Sequence, residues 1–279
     1  MSATLATADA RTPAPGRATV PHLSTASVFL ALLARDVRVV RRELPYFLVR
    51  TVMQPMLFII VFGTLLPRMR FVQAGYTTAL LPGVLGVSLA LSAVQSVALP
   101  MVQDFGWTRE IEDRLLAPIA IPWIAIEKIV VGVLQGVIAA LVVLPVARVI
   151  MGPIPGLTLQ HAGIIVLVTL LGATTFSALG LLMGSVISPQ QIGLMFSTII
   201  APMIFFGCAY YPWRGLDVVP VAKWAVLVNP LVYVAEGMRA ALTPDVPHMP
   251  LAAVIGAQIL ILSVFSTLGV RSFLRRALG

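Results

Sequence analysis

Ionisable side chains are rare in this sequence, and the candidates for chemistry gather in two connecting segments. Only 11% of the 279 residues are charged, whereas 59% are hydrophobic. In the first segment, the i, i+3 and i, i+4 spacings allow ion pairs on one short helix. The charged residues that carry this pattern are Arg109, Glu110, Glu112, Asp113 and Arg114. The pattern predicts a charged helix of about two turns over residues 108–117.

A helix this short is marginally stable alone and needs a surface to pack on. Leu115, together with Ile111 and Leu116, would supply a small apolar face for that contact. The residues alone leave two interpretations open. The segment is either a docking helix for a cytoplasmic partner or a solvated loop helix that lies against its own membrane domain.

The second segment, about residues 216–242, contains two apolar pieces that are each too short to cross a membrane. Asn229 and Pro230 separate them with a helix-breaking turn, which predicts a re-entrant or interfacial helical hairpin. Glu236 and Arg239 are one helical turn apart and can pair. Below the lipid head groups, this pair would be a functional candidate at the exit of a translocation path. At the surface it would contribute little to stability.

The sequence lacks the motifs that would make the chain an enzyme by itself. It has no Gly-x-x-x-x-Gly-Lys-Ser/Thr loop for nucleotide phosphates. His22, His161 and His248 are far apart, without a ligand at metal-binding spacing, and no serine has a plausible His and acidic partner. We therefore predict no catalytic, cofactor-binding or metal-binding residues in this chain.

Long apolar runs must position the two charged segments. About 20 apolar residues cross a hydrocarbon core of roughly 30 Å as a helix. Six such spans are predicted, and they define an all-α polytopic membrane protein. Spans two to six contain no clear mid-membrane charge, which argues against a carrier that depends on buried ions. Prolines inside spans predict kinks where a neighbouring helix supplies the missing hydrogen bond. The predicted spans are about 46–66, 77–102, 122–150, 161–187, 190–211 and 250–270, with Pro55, Pro82, Pro145 and Pro202 inside them.

Two N-terminal regions precede the first span. Residues 1–26 predict a disordered cytoplasmic tail, and residues 27–43 predict an amphipathic helix on the membrane surface. The alternative is a cytosolic helix packed on a partner. The apolar face of the helix 27–43 contains Phe29, Leu33, Val37 and Val40. Its polar face, which would meet lipid phosphates on a membrane surface, contains Arg35, Arg38, Arg41 and Arg42.

The distribution of basic residues predicts the orientation. Of the 19 Lys and Arg residues, 13 flank the spans on the side of the N-terminus. Positive residues accumulate on the cytoplasmic side, so both termini are predicted to lie in the cytoplasm, with the chain in the cell membrane. This placement explains the net charge of +8 better than a nucleic-acid partner, since no basic surface is interleaved with aromatic residues.

The order of these features resembles the membrane subunit of type-2 ATP-binding-cassette exporters, the drug, lipid and polysaccharide export permeases. The similarity covers nearly the whole chain from residue 27. The stretches that carry it are the helix 27–43, Gln54-Pro-Met-Leu-Phe-Ile-Ile-Val-Phe-Gly63, Leu81-Pro-Gly83, Arg109-Glu-Ile-Glu-Asp-Arg-Leu-Leu-Ala-Pro118, Tyr211-Pro212 and Asn229-Pro-Leu-Val-Tyr-Val-Ala-Glu-Gly-Met-Arg239.

The resemblance implies a complex of two permeases and two ATPase subunits. Residues 108–117 would be the coupling helix, seated in a cleft of the ATPase, and their acidic residues predict a basic cleft. ATP and Mg would be bound by that partner and not by this chain. The second permease would be another copy or a related chain, and the hairpin would lie near the outer exit.

Export of a hydrophobic or amphipathic compound, drug or lipid-like, is the leading functional hypothesis. A polysaccharide or glycolipid exporter of the same family is the alternative. Two other classes fit less well: an ATPase-independent carrier or channel lacks the expected buried charges, and an intramembrane enzyme lacks clustered polar catalytic residues.

Overall fold

The computed structural model describes residues 24–72, 75–106, 116–154 and 157–278. All regular secondary structure in these ranges is helical, which confirms the predicted all-α fold. Five helices are long and apolar enough to cross a membrane, and a bent pair gives six if it counts as one span. The main helices are α1 (Thr25–Arg42), α2 (Leu44–Arg68), α3 (Tyr76–Gly106), α4 (Ile121–Met151), α5 (Ala162–Val186), α6 (Pro189–Phe205), α7 (Pro220–Val228), α8 (Pro230–Leu242) and α9 (Leu251–Leu278).

The structure differs from the sequence prediction at the fifth span. The sequence predicts a span over residues 190–211 with a kink at Pro202, whereas α6 ends at Phe205 and consists of short 3-10, α and π pieces. Pro202 accounts for part of this irregularity, because its ring displaces the carbonyl four residues earlier. That carbonyl belongs to Thr198, inside the π-helical stretch Phe196–Ile200, whose wider turn accommodates the ring.

A second π-helical stretch, Ile59–Leu65, lies in α2 just before Pro67. Pro67 has no N–H with which to reach the carbonyl oxygen of Gly63. The Thr77 hydroxyl at the start of α3 donates to that oxygen over 3.2 Å. A neighbouring helix thus satisfies a carbonyl that a proline leaves free, as membrane helices require.

Helix α3 forms the centre of the bundle and packs against α4, α5 and α8. Glycines of α5 allow its close approach to α3. A Cβ atom at Gly180 would lie 2.8 Å from the Val94 carbonyl oxygen, and one at Gly184 would lie 2.7 Å from the Met101 Cβ. This small-x-x-x-small spacing therefore serves packing within the chain.

The two ends of the bundle carry different elements. The α1 end holds α1, the C-terminal end of α3, the start of α4 and the C-terminal end of α9. There Arg276 of α9 donates to the carbonyls of Gly184, Ser185 and Ile187 over 3.0–3.2 Å and so caps the end of α5. The hairpin end contains α7 and α8, and the chain bends by 101° between them.

Candidate functional sites: two buried charge clusters

Asn229 and Pro230 shape the bend of the hairpin. The Asn229 side-chain oxygen accepts from the Leu231 N–H over 2.9 Å and caps α8, while Pro230 occupies the first turn, where no N–H is needed. The Asn229 amide also donates to the Met203 carbonyl over 2.7 Å, which attaches the bend to α6. That the hairpin is re-entrant or interfacial stays a prediction.

Glu236 and Arg239 of α8 form an ion pair whose side chains are fully buried. The two oxygens of the Glu236 carboxylate also accept from backbone N–H groups, one from Trp213 over 2.8 Å and the other from Met249 over 2.7 Å. A buried carboxylate is tolerated when its oxygens are satisfied in this way. The pair is buried within the protein, and its depth relative to the lipid head groups stays a prediction.

Arg239 extends this network to two further segments. Its guanidinium donates to the carbonyls of Cys208 over 3.0 Å and of Ala79 over 3.3 Å. We call Glu236 and Arg239 the hairpin clasp, since together they bond the segments around residues 79, 208, 213 and 249. With both carboxylate oxygens occupied, the clasp is suited to positioning these segments rather than to transferring protons.

A second cluster of buried charges lies at the α1 end. The Lys128 ammonium is 2.9 Å from the Asp36 carboxylate and 3.9 Å from that of Asp104. All three side chains are at most 11% exposed. We call Asp36, Asp104 and Lys128 the junction cluster, since they join α1, α3 and α4.

Sequence reasoning missed the junction cluster. It also missed that the predicted span 122–150 has buried charged residues near its start. Glu127, beside Lys128, is also fully buried. One signal was available: Asp36 is an acidic residue within the arginine-rich part of α1. The partners that bury it lie about 70 and 90 positions away along the chain, beyond the reach of local patterns.

The predicted coupling helix falls in the link between α3 and α4. Its residues Arg109, Glu110, Glu112, Asp113, Arg114 and Leu115 lie outside the residues that the structure describes. The described residues nearest to them are Gly106 and Leu116. The junction cluster includes one residue on each side of this link, Asp104 before it and Lys128 after it.

The two faces of helix α1 differ in exposure, and its location on a membrane surface stays a prediction. Phe29, Leu33, Val37 and Val40 are half-buried, and Phe29 packs edge-on against Trp123 of α4 with ring centroids 5.8 Å apart. The arginines on the other face are exposed. These are Arg35, Arg38, Arg41 and Arg42.

The family model described as ABC-2 type transporter matches residues 27–243, more than three quarters of the chain. No curated protein matches this sequence. The match includes α1, the link between α3 and α4, and the hairpin clasp. The chain therefore belongs to the ABC-2 type transporter family, as a multi-pass membrane permease subunit.

Proposed function

We propose that this chain is the permease subunit of an ATP-driven exporter. It moves a hydrophobic or amphipathic compound, drug or lipid-like, out of the cytoplasm or the inner leaflet. A separate ATPase subunit, present in two copies, binds ATP and Mg, and a second permease completes the complex. The observation that carries the proposal is the junction cluster, which connects α1 to both helices that flank the link.

The junction cluster gives a route for mechanical coupling. A partner that pushes on the link moves the end of α3 and the start of α4, and α1 follows because Asp36 is bonded to Lys128. Helix α3 then extends to Ala79, whose carbonyl contacts Arg239 of the hairpin clasp. The helix rises 25 times by 1.5 Å from Ala79 to Asp104, which is roughly 38 Å. Rigid helices of this kind can transmit displacement between two ends of a transporter.

The orientation fits the same proposal. The helix ends that flank the link, α1 and the C-terminal end of α9 share one end of the bundle. The prediction from basic residues assigns that end to the cytoplasmic side of the cell membrane. A cytoplasmic ATPase would reach the link there, and the hairpin end would face the exit.

Co-purification tests the proposal. The full chain, solubilised gently from its native host, is expected to retain a stoichiometric ATPase with a nucleotide-binding motif. Glu112→Arg combined with Asp113→Arg should weaken this association, because the acidic link would no longer match a basic cleft. The matched control is Asp217→Arg with Asp245→Arg, two exposed acidic positions outside the link. Equal ATPase yield from both double variants would overturn the assignment of the link.

Polysaccharide or glycolipid export is a second candidate, and an aromatic cluster favours it. Phe58, Phe62 and Tyr210 pack together with ring centroids 5.2–5.8 Å apart. Aromatic faces of this kind stack on sugar rings. Stimulation of the ATPase by a lipid-linked oligosaccharide, and none by apolar cations, would favour this cargo. Transport in vesicles without any ATPase would instead restore the carrier hypothesis.

A further inference from the structure

Two adjoining cavities run along the contact between α2 and α3. The larger, about 630 Å³, lies at the α1 end and is also bordered by α1 and α4. The smaller, about 50 Å³, continues along α2 and α3 as far as Tyr210. Arg50 and Gln95 line both cavities, so the two form one continuous site. The larger volume is typical of pockets for small organic ligands.

Arg50 is a basic residue of this site that has no carboxylate partner in the described ranges. Among the described parts of the chain, it makes no ion pair and no side-chain hydrogen bond. Lys128 and Arg35 also line the larger cavity, together with the carboxylates of Asp36, Glu43 and Asp104. The Lys128 ammonium is 2.9 Å from Asp36 and 3.9 Å from Asp104. Glu43 lies seven residues before Arg50, about 10 Å along the helix axis, and so nearer the α1 end. Arg50 lies near the start of the first span and borders both cavities, and a basic residue without a carboxylate partner at such a position is a functional candidate.

Three glutamines line the same cavities as Arg50. Gln54, Gln95 and Gln135 line these cavities from α2, α3 and α4. None of the three makes a side-chain hydrogen bond to any residue in the described ranges. Amides in apolar spans carry a cost unless they find a partner. Their convergence beside Arg50 therefore favours a polar, negatively charged ligand group.

The smaller cavity is apolar on its far side. Its walls beyond Arg50 include Phe58, Val84, Val87 and Leu91. The site thus changes from charged and amide-rich at the α1 end, where Arg50 has no carboxylate partner in the described ranges, to apolar toward Tyr210. A molecule that matches this gradient has an acidic head group and an apolar tail.

We propose that this site binds an anionic amphiphile. Arg50 and the three glutamines hold its phosphate or other oxyanion head group, and the apolar walls along α2 and α3 hold its tail. The inference deepens the proposed function, since the amphiphile would be the exported compound. Binding itself does not depend on ATP or on transport.

Binding to the purified full chain in a neutral detergent tests the site. The probe is a fluorescent long-chain alkyl phosphate, and the comparison probe is the alcohol with the same tail. Arg50→Ala should weaken alkyl phosphate binding about tenfold or more, since hydrogen bonds between charged groups are the strong ones. The alcohol should bind equally well to both proteins, and Arg50→Lys should restore part of the affinity.

Arg68→Ala is the matched control, since Arg68 lies at the other end of α2 and lines neither cavity. It should leave alkyl phosphate binding unchanged. Equal loss for Arg50→Ala and Arg68→Ala, or equal loss of both probes, would overturn the proposal. Displacement by inorganic phosphate at a similar concentration would reduce the site to one for a free anion and would overturn the amphiphile assignment.

A cysteine at position 95 distinguishes binding in the site from contact at the membrane surface. The native Cys208 is buried and should react little with a maleimide. Gln95→Cys should become labelled, and the alkyl phosphate should protect it, whereas a control Leu194→Cys on exposed α6 should label equally with and without the probe. If the alkyl phosphate leaves the labelling of Gln95→Cys unchanged, it contacts Arg50 at the membrane surface and not in the cavity. That result would overturn the proposal.

The two proposals can fail separately. One outcome is that the alkyl phosphate binds charge-selectively but is not transported with ATP in vesicles that contain the ATPase. This result would support the binding site and reject its role in export. Transport that Arg50→Ala leaves unchanged, without selective binding, would reject the site and sustain the exporter.

Discussion

The hairpin clasp and the junction cluster solve the same problem in two different ways. Each places charged side chains in the interior of an apolar bundle. In the clasp, Glu236 and Arg239 lie one turn apart on a single helix and use backbone groups of other segments as further partners. In the junction cluster, the charges belong to three separate helices.

The two arrangements allow their helices different amounts of movement. Displacement of α8 would break several hydrogen bonds to backbone groups at once, so the clasp favours one fixed arrangement. The junction cluster depends on contacts between side chains of helices that flank a link, and long side chains can follow small shifts. We therefore expect the hairpin end to be rigid and the α1 end to transmit movement.

The strongest test of this contrast is Glu236→Ala in the clasp. It leaves Arg239 charged and buried without its carboxylate, a change that typically costs about 3–5 kcal/mol. We expect a large fall in the thermal unfolding midpoint in detergent and loss of the monodisperse peak in gel filtration. Glu236→Met with Arg239→Leu should recover part of the loss, because no buried charge stays unpaired. A midpoint that Glu236→Ala does not change would refute the rigid clasp.

Lys128→Met in the junction cluster should have a smaller effect on stability, about 1–3 kcal/mol. It removes the cation between Asp36 and Asp104, whose side chains are 10–11% exposed, whereas those of the clasp are fully buried. Its larger effect should be on coupling: ATP hydrolysis by the reconstituted complex should continue while transport falls. Lys128→Arg should retain most transport. Parallel loss of hydrolysis and transport would show that the cluster only holds the fold.

A change between the two ends tests whether α3 and α5 move as one unit. In Gly180→Val the new side chain would meet the Val94 backbone, since a Cβ there already lies 2.8 Å from its carbonyl oxygen. Overpacking of this kind costs about 1–3 kcal/mol. Gly163→Val, on the same helix but in open space, is the control. Similar unfolding midpoints for the two variants would argue against close packing.

The smallest effect is expected from Asp217→Asn at the hairpin end. Asp217 pairs with Lys223 at 2.5 Å, but its side chain is 61% exposed. Exposed ion pairs contribute about 0–1 kcal/mol. The unfolding midpoint should therefore hardly change, and a fall as large as that of Glu236→Ala would show that location in the hairpin, and not burial, decides the effect.

Hydrophobicity was sufficient to predict most of the fold. The spans now seen as α2, α3, α4, α5 and α9 follow from the length of their apolar runs. The break in α6 did not, because apolar composition says nothing about the π-helical turn before Pro202. Local spacing also predicted that Glu236 and Arg239 can pair, since they are three residues apart.

The rest of the candidate sites depends on distant residues. Nothing near Glu236 in the sequence identifies the Trp213 and Met249 N–H groups as its partners, and nothing near Asp36 identifies Lys128. The cavities beside Arg50 likewise require the relative positions of four helices. Periodicity within one segment cannot supply such positions, because they follow from packing between segments.

The clasp also constrains the order in which the chain can be inserted into the membrane during synthesis. An arginine stays protonated and is costly in lipid without partners. The hydrogen bonds around Arg239 are complete only when the carbonyls of Ala79 and Cys208 accept from it. Its partner Glu236 must also accept from the Met249 N–H. The hairpin therefore settles late in biogenesis, once the nascent chain has reached the start of its last helix.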